Sequence, residues 1–318
     1  MDEHDRTGLD VVAGAVGDLA APVQTSLLKA LSALLGGLTA IPAAKLKQYA
    51  QGIEDTTVVR SAVAATLGKA VAENAGQDPL LMQAAGEIYL PTVLRKAKNR
   101  LAIAQRTAEH IGADQAGPAA AAPPENDWMN HYIRFAEDAS SEKLQDLFGR
   151  ILAGQIVRPG SFGISTLRAV GELDQTIAAD FSSMWALSAG VAVDYSAEHQ
   201  MGDGYNRWRR LAEAGLISPI EVAQFLPPFS PVRNGNGLWT PASAGGAYLV
   251  VQFPEGCAAR WVHLPFTRVG REIGSILARP DYEANLRAVG EGLARQGVSR
   301  VELFSPGRPT EVIYARGS

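Results

Sequence analysis

Five histidines (His4, His110, His131, His199 and His263) and one cysteine, Cys257, are the residues through which this chain would hold a transition metal or form a covalent intermediate. A zinc site draws its donors from His and Cys pairs set a few residues apart. No two histidines here have that spacing, and Cys257 has no companion. One cysteine cannot form an internal disulfide, so nothing points to an oxidising compartment. The glycine loops that cradle phosphates, the dinucleotide fingerprint and the serine elbow of hydrolases are all missing. The pair Glu54-Asp55 is better read as helix-start charge than as an acid–base pair, because negative charge is favourable at a helix N-terminus. No nucleophile stands beside a base. The expectation is a protein that is not an enzyme and holds no metal, no cofactor and no small-molecule substrate.

Three arrangements remain that could make contact rather than chemistry. The first is a cationic helix face in residues 91–108, with Arg95, Lys96, Lys98, Arg100 and Arg106 and no acidic residue among them. It would suit phosphates of nucleic acid or lipid, or be an ordinary solvated face. The second is a leucine stripe, Leu27, Leu28, Leu31, Leu34, Leu35 and Leu38, at the spacing of one helical face. It would lie at a membrane surface or bury against further helices or a second copy of the chain. Positive charge beside it is thin for an interfacial helix. The third is Arg207, Arg209 and Arg210, next to Trp208, on a helix that could face DNA in a winged-helix setting or serve only a helix end and its core.

The elements that must carry these residues are mostly helical. Hydrophobic residues make up 47% of the 318 residues and charged residues 19%, below the roughly 25% usual for globular proteins. Much of the difference is alanine, which favours helix. The net charge is −4, so a nucleic-acid site would have to be a local patch. The acidic, polar start is unlike a signal peptide, and a cytoplasmic protein is expected. Length predicts two or three domains. Residues 1–112 read as a helical region, with helices in 9–52, 57–75 and 80–112. In the last of these Val93, Ala97, Leu101, Ala104, Ala108 and Ile111 share a face. Residues 113–126, rich in Pro, Gly and Ala, read as a linker.

Residues 127–200 read as a central helical domain. Trp128, Tyr132 and Phe135 repeat at helical spacing. Ser140 or Ser141 is placed to cap a helix burying Leu144, Leu147, Phe148, Ile151 and Leu152. Pro159-Gly160 makes a turn. Ser165 and Asp174 are placed to cap two shorter helices. Residues 201–318 read as a smaller α+β domain. It opens with a helix ending at Gly215, followed by a mobile loop over 227–247. Strands at 247–253 and 258–264 precede a helix capped by Thr267. A helix at 282–296 and a strand pair at 300–304 and 311–314 complete it. Helix, two strands, helix predicts a winged-helix-like unit.

The segment from Asp127 to Phe181 carries a resemblance. It runs through Phe135-Ala136-Glu137-Asp138-Ala139-Ser140-Ser141-Glu142, then Arg150-Ile151-Leu152-Ala153-Gly154, Pro159-Gly160-Ser161-Phe162 and Ser165-Thr166-Leu167. This resembles an uncharacterised bacterial and prophage family, domain-of-unknown-function family 2806. Asn99, Ile103 and Ala108 upstream, and Thr267 with Gly270-Arg271-Glu272-Ile273 near the end, also look like that family. The central pattern is similar, more weakly, to abortive-infection alpha phage-resistance proteins. Neither resemblance brings a catalytic residue set. Read physically, Ile151, Leu152, Ala153 and Gly154 make a small-residue crossing where helices approach closely. The expectation is therefore a non-catalytic interaction or regulatory protein, a phage-defence component working through helical surfaces and a homo-oligomer. The alternatives are a membrane-acting effector using the leucine face and a DNA-binding regulator using the arginines.

Overall fold

A computed structural model describes residues 19–35, 90–113, 121–195, 201–218, 223–225 and 236–317. The chain divides into two units, Met1–Glu172 and Leu173–Ser318. The first is helical where described, and the second combines helices with small antiparallel sheets. His4, His199, Leu38 and the pair Glu54-Asp55 lie outside the described residues, as do 9–18 and 36–52 of the helical stretch expected over 9–52 and all of the helix expected over 57–75.

The first unit is built from α1 (Ala21–Leu34), α2 (Leu90–Ala113), α3 (Asn126–Ala136), α4 (Glu142–Val157) and α5 (Ile164–Glu172). Its centre is the pairing of α2 with α4, against which α1 also packs. Leu27, Leu31 and Leu34 of α1 are 0 to 1% exposed, and Leu28 and Leu35 are half-buried. Half of the leucine stripe is therefore spent inside this unit. Along α2 the buried positions are Asn99, Ile103, Ala104, Thr107, Ala108 and Ile111. The buried stripe runs through Asn99 rather than Val93, which is 37% exposed.

Trp128 and Tyr132 of α3 stack at 5.1 Å, and Tyr132 meets Phe148 of α4 edge-on at 5.6 Å. Ser141 caps α4 by accepting from the Leu144 amide. The following helix starts at Ile164, one residue before the expected cap Ser165, which is exposed in its first turn. The alanine–proline stretch behaves differently from a boundary between domains. Residues 121–125 have no regular structure, yet Ala122 donates its amide to the Ile156 carbonyl of α4. The helices on either side, α2 and α4, share one core. Over 121–125 the lack of helix agrees with the composition, but a connection inside a unit and one between units draw on the same residues.

The second unit comprises α6 (Gln175–Ala186), β1 (Ala192–Asp194), α7 (Gly202–Glu213), β2 (Ala223–Phe225), β3 (Asn236–Trp239), β4 (Ser243–Ala244), β5 (Ala247–Pro254), β6 (Trp261–Pro265), α8 (Arg268–Gly274), α9 (Tyr282–Ala294), β7 (Arg300–Phe304) and β8 (Glu311–Ala315). Its start at Leu173 takes in α6 and β1, which the sequence reading assigned to the central domain. Tertiary pairing is the reason. Phe181 and Trp185 of α6 pack on Phe266, and β1 pairs antiparallel with β6, Asp194 opposite His263. Asp174 and Thr267 cap α6 and α8 as expected, and Gly215 takes the left-handed conformation, φ +73°, past the end of α7.

The sheets part from the winged-helix expectation. β5 pairs with β3, β4 and β7, whereas β6 sits between β1 and β2 in a separate sheet. The two strands that would form a wing are not partners. Residues 236–239 and 243–244, expected within a mobile loop, are strands on β5. The core of the larger sheet joins Trp239, Leu249, Val251, Phe253, Val301 and Leu303 to Leu286, Val289 and Leu293 of α9.

Candidate functional site

The α2–α4 seam gathers the polar and small residues of the sequence motif. Gly149 is why the helices come so close. A methyl group there would stand 2.5 Å from Arg106 Cβ and 3.1 Å from the α2 backbone. The expected close crossing thus belongs to Gly149, one residue before the Arg150–Gly154 run. Gly154 serves a different neighbour, since its missing side chain leaves room for the Phe162 ring. Ile151, Leu152 and Ala153 are buried around it. Pro159 and Gly160 are exposed in the turn, Gly160 at φ +83°, and Ser161 donates to the Arg158 carbonyl at 2.5 Å.

Several buried polar side chains of this unit bond to its own backbone, whereas the buried Arg100 Nε has no hydrogen-bond partner among the described residues. Trp128 Nε1 donates to the Phe162 carbonyl at 2.8 Å, and Tyr132 Oη donates to the Phe148 carbonyl at 2.9 Å. Burial pushes the Tyr132 phenol well above its ordinary pKa, and a hydrogen bond with Thr107 only partly offsets this. Gln155 Oε1 accepts from the Phe162 amide. Asn99 Nδ2 donates to the Glu137 carbonyl at 2.9 Å, and Gln145 Nε2 donates to Asn99 Oδ1 at 3.3 Å.

Most of the cationic face of α2 meets carboxylates that lie outside the helix. Lys96 and Arg100 both bind Glu137, just past the end of α3. Arg95 reaches Asp138 at 3.2 Å, and Arg106 reaches Glu109 at 3.1 Å. Lys98 is exposed. Toward the other end of α2, His110 Nε2 lies 2.7 Å from Asp146 Oδ1, while Arg150 Nε donates to Asp146 Oδ2 at 2.9 Å. Sequence reading missed Glu137 and Asp146 as partners, because ion pairs between separate helices leave no spacing signal.

Burial acts to raise the pKa of the Glu137 carboxyl. The hydrogen bonds and charges of Lys96 and Arg100 outweigh it and hold the group below its usual value. Asp146 is likewise lowered, with burial opposed by Arg150 and His110. Carboxyls depressed in the folded state contribute stability at pH values above their unfolded pKa. That contribution is lost as pH falls through the folded values. The first unit should therefore weaken below about pH 4.5. Thermal melts of wild type and Glu137→Gln should differ at neutral pH and converge at low pH. Parallel curves at every pH would show that the pair adds nothing.

The third set of arginines is similarly engaged. Asp180 of α6, whose side chain is 13% exposed, takes Arg207 Nε at 3.2 Å and Arg210 Nε at 3.0 Å. Arg209 lies 3.4 Å from Glu213. Trp208 stands edge-on to Tyr195 and Tyr205. Two of the three arginines thus tie α7 to α6. Of the remaining histidines, His131 is exposed. His263 is 2% exposed and stacked on Trp261, with burial lowering its pKa against the pull of the Trp261 carbonyl and Asp194. Cys257 is half-buried, with its Sγ 3.9 Å from the Gln296 carbonyl.

Among the described residues, no group of three or more His, Cys, Asp or Glu is placed to hold a metal ion. No described helix is long and apolar enough to cross a membrane. Fold and site together define a helical unit closed by internal ion pairs, followed by an α+β unit. A family model described as "Protein of unknown function (DUF2806)" matches residues 94–211, from the start of α2 into α7. That match supports placing this part of the chain in the uncharacterised family that its motif resembles. Asn99, Glu137, Gly149 and Asp180 fall within it, whereas α1, the larger sheet and the segment from Thr267 to Ile273 fall outside. No curated protein and no solved structure matches the chain.

Proposed function

We infer that this chain is a non-catalytic interaction or regulatory protein that works through its surfaces. The observation that carries the reading is where the motif's polar groups go. Trp128, Tyr132, Gln155, Asn99 and Glu137 are all engaged with neighbouring helices and turns of their own unit. A reacting group must instead present a donor, acceptor or nucleophile to a substrate. Side chains used up in this way hold a shape, and a shape is what a binding partner reads. The phage-defence setting is proposed only from the resemblance to abortive-infection alpha proteins, and homo-oligomer formation from the helical, alanine-rich composition.

No observation favours the two alternatives. Leu27, Leu31 and Leu34 are covered by other helices, which takes apolar area away from a membrane-facing surface. Arg207 and Arg210 are drawn to Asp180, which lowers the positive potential a DNA surface needs.

The test incubates pure full-length protein with nucleotides, with single- and double-stranded DNA and RNA, and with anionic phospholipid vesicles. The expected result is no turnover of any of them, and no salt-sensitive binding that depends on Arg207, Arg209 and Arg210. Turnover that disappears on a single point substitution refutes the reading.

A further inference from the structure

Helix α1 fills an apolar groove of the first unit and takes no part in the unit's polar joints. Val23, Leu27, Leu31 and Leu34 are buried at steps of four, four and three residues, with Ser26 and Ala30 between them. That face packs on α2, α3 and α4 together. This is the anchor pattern of an amphipathic helix laid into a groove. The one ionisable side chain of α1, Lys29, is exposed, and Thr25 Oγ1 donates back to the Ala21 carbonyl of α1 itself at 2.9 Å. The three helices beneath it are joined to one another by other means. Asn99 of α2 donates to the Glu137 carbonyl past the end of α3, Gln145 of α4 donates to Asn99, and Tyr132 of α3 donates to the Phe148 carbonyl of α4. Lys96 and Arg100 bind the Glu137 carboxylate. None of these bonds passes through α1, so its departure removes apolar cover and leaves that network whole.

The helix is also weakly specified by its own sequence. Ala20 gives it no side-chain cap, its first turn has no acidic residue and its last turn no basic one. At 14 residues it has about the length at which an isolated helix is marginal in water. Its helical form therefore depends on being seated. Residues 36–89 lie between α1 and α2, so packing rather than a short connection holds α1 in place. The family match begins at residue 94, so the groove belongs to the matched part of the chain and α1 does not.

We propose that the groove over α2, α3 and α4 is an exchangeable helix-binding site, filled by the chain's own α1 and able to take the α1 of a second copy in its place. The inference rests on the surface-working reading above and names one surface and its partner. The contact itself identifies the occupant: the helix already seated is the one whose anchors the groove fits, and every further copy carries it. A tethered ligand acts at an effective concentration of up to about millimolar, so the α1 of the same copy wins at micromolar protein. Exchange then shows once that α1 is weakened.

The test uses the full chain and a fluorescein-labelled peptide of residues 19–35, followed by fluorescence anisotropy. Leu27→Asp with Leu31→Asp should unseat the chain's own α1, and this variant should bind the peptide about tenfold or more tightly than wild type does. Leu31→Ala, which shortens one anchor, should fall between the two. A peptide carrying both Asp substitutions, and one of the same composition in scrambled order, should bind neither chain. Hydrogen exchange of the doubly substituted chain should keep its protection at α2 and α4 amides, because their mutual bonds remain. Loss of that protection would make α1 an integral part of the core and overturns the proposal. So does a protected variant that fails to bind the peptide, equal binding by wild type and variant, or binding of the scrambled peptide. None of these results bears on turnover, so catalysis by the chain would sink the broader reading and leave this groove to be judged separately.

Discussion

Gly149→Val should destabilise the first unit by about 3 kcal/mol, the upper range for overpacking a tight contact. Two effects oppose each other at this position. Replacing glycine inside a helix gains up to about 1 kcal/mol from backbone entropy, somewhat less for a β-branched residue. Against that, even a Cβ would stand 2.5 Å from Arg106 Cβ and 3.1 Å from the α2 backbone. The backbone atoms cannot swing aside as a long side chain would, so α2 and α4 must separate along the main seam of the unit. The steric term should win even for alanine, leaving Gly149→Ala net destabilising. Gly292 of α9 provides the contrast, because a Cβ there meets nothing within 4 Å. Gly292→Ala should stabilise its own unit by up to about 1 kcal/mol. Denaturant unfolding followed by hydrogen exchange, which resolves the two units, checks both signs. A stabilising Gly149→Ala would mean that the seam has room to give.

Gly270→Ala should cost the second unit about as much, roughly 3 kcal/mol, and should act locally around α8. An added methyl would fall on the Leu216 carbonyl oxygen. That oxygen already accepts the Thr267 amide at 3.1 Å, and Thr267 Oγ1 donates to the Gly215 carbonyl at 2.6 Å while accepting the Gly270 amide at 3.0 Å. One threonine thus caps α8 and ties it to the turn after α7. The substitution should loosen both ends, exposing the α8 and Ile217 amides to exchange before the larger sheet opens. Thr267→Ala should reproduce the pattern more mildly, at about 1–2 kcal/mol, the usual loss of an N-cap. Unchanged exchange at the residue 215–218 turn would disprove the clasp.

The two substitutions also separate shape from chemistry. Both glycines were visible in the sequence, and Gly270 lay in a segment that resembles the family pattern. Their importance was not visible, because a close approach is a property of two elements and a sequence displays one at a time. The sequence expectation put the tight crossing at Ile151, Leu152, Ala153 and Gly154. The structure gives that role to Gly149 and pairs Gly154 with the Phe162 ring. Similarly, the cationic run in α2, with no acid within it, read as a phosphate-binding or an ordinary solvated face, but Glu137 and Asp138 reach it from the end of α3.

What the sequence by itself determined is local and periodic: the presence of helices where the first unit is described, the caps at Ser141, Asp174 and Thr267, the left-handed Gly215, and strands β5, β7 and β8 within a residue or two. These depend on side-chain spacing and on backbone rules that act over a few residues. Tertiary structure alone decided that α2 and α4 share a core across the alanine–proline stretch, and that the chain divides before α6. It alone decided that β5 and β6 go to different sheets and that Glu137, Asp146 and Asp180 receive the basic residues. The physical reason is common to all of these. Core sharing, strand partnership and ion pairing are set by contacts between residues 30 to 50 or more apart, whose energy depends on which surfaces the whole fold leaves facing each other.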